Sequence, residues 1–196
     1  MTDIDPDLIL GRRGGLPDDL RYLFKKYPRG DWPGHANLGG MAEFWLQRHD
    51  MFRDLGGMLT QSVAEYREGR LEAQPFASFF VPRLQFFLQQ LNGHHQIEDL
   101  HYFPVFVRAE AGLRRGFDLL DNDHHLIHDA LERNAEGANA FLGKLREGRD
   151  AARFAADSYA ADTEDLLAML LRHLEDEEDL IVPVILDRGE ASLGLM

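Results

Sequence analysis

The stretch that decides the fold is GHHQIEDLHYFPVF, residues 93–106, in which His94 and Glu98 are followed by a proline inside an apolar pattern. The same His-x-x-x-Glu-x-x-x-x-x-Pro spacing recurs in RHLEDEEDLIVPVI, residues 172–185. Positions i and i+4 lie on one face of an α-helix, about 6 Å apart. Each copy therefore predicts a helix that turns a histidine and a glutamate toward the same neighbour.

From about residue 40 onward the apolar residues follow a helical period almost throughout. Turn signals interrupt the pattern near Gly69, near Gly112 and at residues 148–150. They leave four long segments joined by short connections, and short connections make neighbouring helices antiparallel. The sequence thus predicts an all-α fold, an up-down antiparallel four-helix bundle.

The first forty residues differ from the rest, because they are rich in proline and glycine. One short helical pattern, PDDLRYLFKKY at residues 17–27, interrupts them. We predict three parts: an N-terminal extension with one short helix over residues 1–40, the bundle over 41–187, and a C-terminal tail over 188–196.

Charge and composition exclude several classes of function. The 196 residues carry a formal net charge of -13, which fits poorly with phosphate backbones or anionic membrane surfaces. The chain has no cysteine, so disulfides, thiolate metal sites and cysteine nucleophiles are excluded. No run of apolar residues is long enough for a membrane span, and MTDIDPDLIL lacks the basic start of a secretory signal. We expect a cytoplasmic protein that binds neither nucleic acid nor membranes.

Histidines fall on the inward faces of all four predicted helices, and two of these helices also present a glutamate. An unpaired carboxylate in a bundle core costs several kcal/mol, so these groups need a common partner, and a metal centre supplies one. The predicted metal ligands are His49, His94, Glu98, His124, His128, His173 and Glu177.

Seven ligands are too many for one tetrahedral zinc ion and suit two iron ions. With both carboxylates and one oxo or hydroxo group bridging, the five histidines divide three and two. One iron then keeps an open position for a small molecule. Imidazole and carboxylate also suit manganese, zinc or copper, so the spacing leaves the metal open.

Further polar residues lie beside the predicted ligands or on the same helix faces. We expect them either to be solvated or to hydrogen-bond near the site, since carboxylates often orient metal-bound imidazoles. For Tyr159 the alternatives are an interhelical hydrogen bond or a place in a tunnel. The set comprises His95, Asp99, His101, His125, Tyr159 and Glu178.

Together these motifs resemble the hemerythrin-like (HHE cation-binding) family, of the bacterial type. The resemblance covers roughly residues 41–187 and implies a di-iron site in a four-helix bundle. It is carried by LQRHDMF (46–52), HHQIEDLHYFP (94–104), DNDHHLIH (121–128) and HLEDEEDLIVP (173–183).

One position departs from the oxygen-carrying hemerythrins, which place an aspartate five residues after the last histidine. Here His173 is followed by Glu177 and Glu178. The resemblance therefore implies a non-haem di-iron protein that binds dioxygen, nitric oxide or peroxide for sensing or handling, rather than a simple carrier. The alternatives are an oxidoreductase that detoxifies peroxide or nitric oxide, and an iron-handling or repair protein. The chain shows no signalling domain, so sensing would require a protein partner or a homodimer.

Overall fold

The computed structural model describes residues 5–195, except for the side chains of Arg149 and Asp150. Within this part of the chain there is no β-strand, and none of the helices is long and apolar enough to cross a lipid bilayer. The helices are α1 (Tyr22–Lys26), α2 (Gly40–Arg67), α3 (Ala73–Ile97), α4 (Phe103–Ala109), α5 (Arg114–Leu145), α6 (Arg149–Arg188) and α7 (Glu190–Leu193).

The predicted all-α fold with four long helices, and with one short helix in the N-terminal extension, is confirmed. Two of the three predicted breaks fall where glycine permits a backbone that other residues avoid. Gly69, between α2 and α3, has a φ of 75°, and Gly148, between α5 and α6, has a φ of 125°. The boundaries of the three predicted parts stay a prediction.

The second predicted helix is not continuous, because a π-helical turn at Glu98–Tyr102 separates α3 from α4. The N–H of Phe103 donates to the carbonyl of Glu98, five residues earlier, and Pro104 follows in the first turn of α4. One extra residue per turn rotates everything that follows around the helix axis. Phe103 and Phe106 are therefore buried, and His101 is exposed.

The chain forms two compact units, and each takes part of all four long helices. The first contains the residues up to Asp50, His94–His125 and those from Leu171 onward. The second contains Met51–Gly93 and Leu126–Leu170.

The core of the first unit combines the N-terminal extension with the helices that follow it. Three leucines of the extension, Leu16, Leu20 and Leu23, pack in one buried cluster with residues such as Trp45 and Phe106. Trp32 joins Val182 and Leu186 in an adjoining cluster. Burying such side chains stabilises the fold by about 1.5–3 kcal/mol each, so the extension is an integral part of this core.

The core of the second unit is aromatic. Phe76 stacks on Phe80 with ring centroids 4.9 Å apart, and Phe141 lies 5.3 Å from Phe76. Tyr159 packs edge-on against Phe80 at 5.7 Å. These rings fill the second unit with large apolar surfaces in the offset and edge-on arrangements that aromatic pairs prefer.

A short hydrogen-bonded chain crosses this aromatic core. The hydroxyl of Tyr159 donates to Asn134 Oδ1 at 3.0 Å, and the amide of Asn134 donates to Thr163 Oγ1 at 2.9 Å. Thr163 in turn donates to the carbonyl of Tyr159 at 2.8 Å. Burial raises the pKa of Tyr159 to about 12, so its hydroxyl stays protonated and remains a donor.

Replacing Tyr159 with phenylalanine should destabilise the second unit without changing metal uptake. The buried Asn134 oxygen would lose its donor, which costs about 1–3 kcal/mol in the free energy of unfolding. Urea unfolding of Tyr159→Phe measures this loss, and elemental analysis measures the bound metal. In the matched control Tyr22→Phe, the lost hydrogen bond to Glu110 is exposed and its removal should change stability little. Equal stability losses in the two variants would contradict the expectation.

Candidate metal centre

The first unit gathers two groups of potential metal ligands from four helical elements. The first group is His49, His94, Glu98 and Glu177, and the second is His95, His124 and His173. Within each group, one ligand atom from every residue lies within 4.8 Å of those of the others. Together the two groups draw their side chains from four long helices, α2, α3, α5 and α6, and from the start of the π turn that follows α3.

In the first group the donor atoms converge closely. The Nε2 atoms of His49 and His94 lie 3.1 Å apart, and His94 Nε2 lies 2.8 Å from Glu98 Oε1. His49 Nε2 is 3.4 Å from Glu177 Oε2. Ligands about 2.0–2.1 Å from a metal and at right angles to each other are about 3.0 Å apart, so this spacing suits a cation.

The second group consists of three imidazoles. The Nε2 atoms of His124 and His173 are 3.1 Å apart. The ring of His95 stacks on that of His124 with centroids 4.0 Å apart, and it meets His173 edge-on at 5.3 Å. Three imidazoles around one point form a nitrogen-rich site of the type that holds iron, zinc or copper.

Both glutamates reach both groups. Glu98 Oε1 faces His94, while its Oε2 lies 3.5 Å from His124 Nε2. Glu177 Oε2 lies 3.4 Å from His49 Nε2 and 3.5 Å from His173 Nε2. The two carboxylates are thus placed to be shared between two neighbouring cations.

Carboxylates on the outer side of three rings determine which ring nitrogen carries the proton. Glu178 Oε1 lies 3.0 Å from the Nδ1 atom of His49, Asp99 Oδ1 lies 2.7 Å from that of His124, and Asp123 Oδ2 lies 3.4 Å from that of His173. An ionised carboxylate only accepts hydrogen bonds, so each Nδ1 is the protonated nitrogen and each Nε2 carries a lone pair.

The lone pairs of His124 and His173 therefore face each other at 3.1 Å with no proton between them. Two acceptors at this distance repel each other, and a cation between them converts the repulsion into two favourable contacts. The indole N–H of Trp45 donates to His49 Nε2 at 2.9 Å, so that lone pair accepts a hydrogen bond.

The carboxylates of Glu98 and Glu177 are fully buried, and in their ionised form they accept no hydrogen bond from any described residue. Burial raises the pKa of both well above the usual glutamate value, and the charge of Glu98 adds to the increase at Glu177. Burial also lowers the pKa of His94 and of His173 to about 3. Without a cation the site is thus driven toward neutrality, whereas a cation would stabilise the carboxylates. These donors fit a metal centre.

Four further residues that the sequence places in or near the site belong to neither donor group. His128 belongs to the second unit, where its side chain is 53% exposed and 3.3 Å from Glu132. His125 is 79% exposed and His101 is exposed as well. Tyr159 also belongs to the second unit, where its hydroxyl donates a hydrogen bond to Asn134. The ligand role of each predicted residue stays a prediction.

Sequence reasoning missed four residues that support the site: Arg13, Arg29, Asp123 and Asp176. Arg13 is buried, and its side chain pairs with Asp123 and Asp176. Burial alone would raise the pKa of Asp123, but hydrogen bonds from Arg13 and His173 outweigh it and lower the pKa. The signal for Asp123 was its place directly before His124, whereas nothing in the local sequence distinguishes Arg13 from Arg12.

Comparison with known proteins agrees with this geometry. The family model described as Hemerythrin HHE cation binding domain matches residues 40–185. No curated protein and no solved structure matches the chain. Because the match covers most of the chain and includes every residue of the two donor groups, the protein belongs to the hemerythrin HHE cation-binding family.

Proposed function

We propose that this protein binds two iron ions, one at each donor group, and uses them to sense or handle dioxygen, nitric oxide or peroxide. The observation that carries the proposal is the sharing of Glu98 and Glu177 between two neighbouring groups of imidazoles. Two iron ions held there, with the oxo or hydroxo group that the sequence predicts, would supply a redox centre able to exchange electrons with a small oxidant. The family match supports cation binding as such.

We propose His95 in place of His128 as the fifth imidazole ligand. His95 is buried and packs against the rings of both His124 and His173, whereas His128 is largely exposed and lies near Glu132. The total of five histidines and two glutamates stays as the sequence predicts. Adjacent residues on a helix point about 100° apart, so His94 and His95 serve different cations.

The division of imidazoles favours the first group as the place where a small molecule binds. This group has two imidazoles and the second has three, so its cation retains more room for an exchangeable ligand. Among the residues of the two donor groups, His94 alone is not fully buried. Its side chain is 10% exposed, which offers an approach from solvent. The indole N–H of Trp45 donates to His49 Nε2, and it would be released to hydrogen-bond to an entering molecule once a cation takes that lone pair.

The alternatives stay open as proposals: an oxidoreductase that detoxifies peroxide or nitric oxide, and an iron-handling or repair protein. The two residues expected to donate protons or electrons in an enzyme, His101 and Tyr159, lend it no specific support. A cytoplasmic location and a protein partner or homodimer also remain predictions.

The response to oxygen tests the functional proposal. The protein is loaded with ferrous iron under nitrogen, its visible spectrum is recorded, and air is admitted and then removed. We expect the spectrum to change on exposure to air. A change that reverses on deoxygenation would favour a sensor, and an irreversible ferric spectrum would favour detoxification or redox sensing. A spectrum that does not respond to air, nitric oxide or peroxide would refute the proposal.

The matched pair His95→Ala and His128→Ala tests the ligand set. We expect His95→Ala to lose one of two iron ions per chain, because a buried imidazole donor is removed, and His128→Ala to retain both. Glu98→Ala and His173→Ala should lose most of the iron, and the loop variant His35→Ala should lose none. Elemental analysis after anaerobic loading measures the stoichiometry. Iron loss in His128→Ala with full occupancy in His95→Ala would reverse the assignment.

Metal binding should release protons. In the metal-free protein, burial raises the pKa of Glu98 and Glu177, so both stay protonated at pH values where an ordinary glutamate is ionised. A metal ion must displace these protons. Burial lowers the pKa of His94 and of His173 to about 3, so both are already neutral near pH 7 and release no proton when a metal binds. Affinity for Zn²⁺ should therefore increase as the pH rises from the ordinary glutamate range toward the raised pKa.

Calorimetric titration with Zn²⁺ in buffers of different ionisation enthalpy measures the number of protons released. Glu132→Gln, which removes an exposed glutamate, is the matched control and should release as many protons as the wild type. Binding heats that are the same in every buffer would show that the two glutamates were already ionised.

A further inference from the structure

Two arginines of the N-terminal extension reach the carboxylates that hold the metal-site histidines. The extension precedes the family domain, which begins at residue 40. Arg13 and Arg29 lie in it, and each is bonded to acidic residues of α5 or α6. The segment before the domain thus takes part in the surroundings of the site.

Arg13 holds Asp123 with a two-pronged contact. Its Nη1 donates to Asp123 Oδ1 at 2.8 Å, and its Nη2 donates to Asp123 Oδ2. Its Nε donates to Asp176 Oδ2 at 2.7 Å. All three side chains are buried, so the planar guanidinium fixes the plane of the Asp123 carboxylate as well as neutralising it.

Arg29 contacts Glu178 through one guanidinium nitrogen and the neighbouring Asp179 through another. Its Nη1 donates to Glu178 Oε2 at 2.6 Å, and its Nε donates to Asp179 Oδ1 at 2.8 Å. The Arg29 side chain is 41% exposed, and it lies over the ring of Trp32, 4.9 Å from the centroid. Trp32 is itself buried in the adjoining apolar cluster, so a packed segment delivers this arginine.

Each arginine leads through one carboxylate to a histidine of a different donor group. Arg13 holds Asp123, whose Oδ2 faces His173 Nδ1. Arg29 holds Glu178, whose Oε1 faces His49 Nδ1. The carboxylate behind His124 is Asp99, which is 31% exposed and can be hydrated instead.

We propose that Arg13 and Arg29 are positioning residues of the metal centre. Each arginine fixes, through one carboxylate, an imidazole that would bind a different cation. The N-terminal extension thereby completes the site. The inference rests on the proposed two-cation function. The groups behind a metal-bound histidine set its tautomer and orientation, and their loss typically weakens metal binding about 10–100-fold.

A purely structural role would have a different signature. If the arginines only fastened the extension to α5 and α6, their loss would lower the melting temperature and affect both cations alike. Positioning through separate carboxylates predicts site-selective effects instead. Arg13→Gln should weaken the cation at the second group, and Arg29→Gln should weaken the cation at the first group.

Titration of the metal-free full-length protein with Co²⁺, followed by visible absorption, distinguishes these cases. We expect each variant to weaken one of two binding steps by about 10–100-fold, and the single Co²⁺ that each retains should give a different spectrum. The double variant should weaken both steps. Arg13→Lys keeps the charge without the two-pronged contact, so it should recover part of the affinity.

The exposed neighbours supply matched controls. Arg12→Gln and Lys25→Gln remove positive charges from the same segment and should bind Co²⁺ like the wild type. Wild-type affinities for both steps in folded Arg13→Gln and Arg29→Gln would overturn the inference, as would an equal weakening of both steps by each variant. If Arg13→Gln fails to fold, the half-exposed Arg29→Gln decides the question alone. A wild type that takes up fewer than two Co²⁺ ions would instead overturn the proposed function.

Discussion

Two carboxylates buried without hydrogen-bond donors, those of Glu98 and Glu177, impose the constraint to which the rest of the first unit responds. Such groups cost several kcal/mol when ionised and unpaired. The imidazoles around them present lone pairs rather than protons, since the Nδ1 atoms of three rings face outer carboxylates. What would be destabilising in an ordinary core would become favourable around the proposed cations, because these carboxylates and imidazole lone pairs would then be ligands.

The carboxylates behind the histidines are also negative charges removed from water. The carboxylates that orient the rings are themselves buried or half-buried, and they need positive partners. Arg13 and Arg29 supply them from the N-terminal extension, while apolar side chains such as Leu20 and Trp32 hold that segment in place. The extension therefore contributes both apolar packing and charge to the first unit. The second unit has a different character, with an aromatic core and one satisfied polar chain through Tyr159.

The π turn at Glu98–Tyr102 explains why helical periodicity predicts the buried face correctly up to Glu98 and incorrectly after it. Up to Glu98 the i and i+4 spacing correctly brings His94 and Glu98 together. Beyond Glu98 the extra residue of the π turn rotates the following side chains around the helix axis, so His101 is exposed and Phe103 is buried. Pro104 was the signal for a disruption, because proline lacks the N–H that a continuous helix requires. The sequence does not show how the chain absorbs that loss, which depends on the packing of Phe103 and Phe106 in the first unit.

The sequence by itself determined the all-α class, the four long helices and the His-x-x-x-Glu pairs, because helical periodicity and i,i+4 spacing are local properties. Only the tertiary structure decided which of His95 and His128 lies with His124 and His173, because that depends on which neighbour each helix face meets. It also decided that Arg13 rather than Arg12 is buried against Asp123, across 110 positions of the chain. Contacts of this kind have no local period, since they arise only when distant segments pack together around a buried charge.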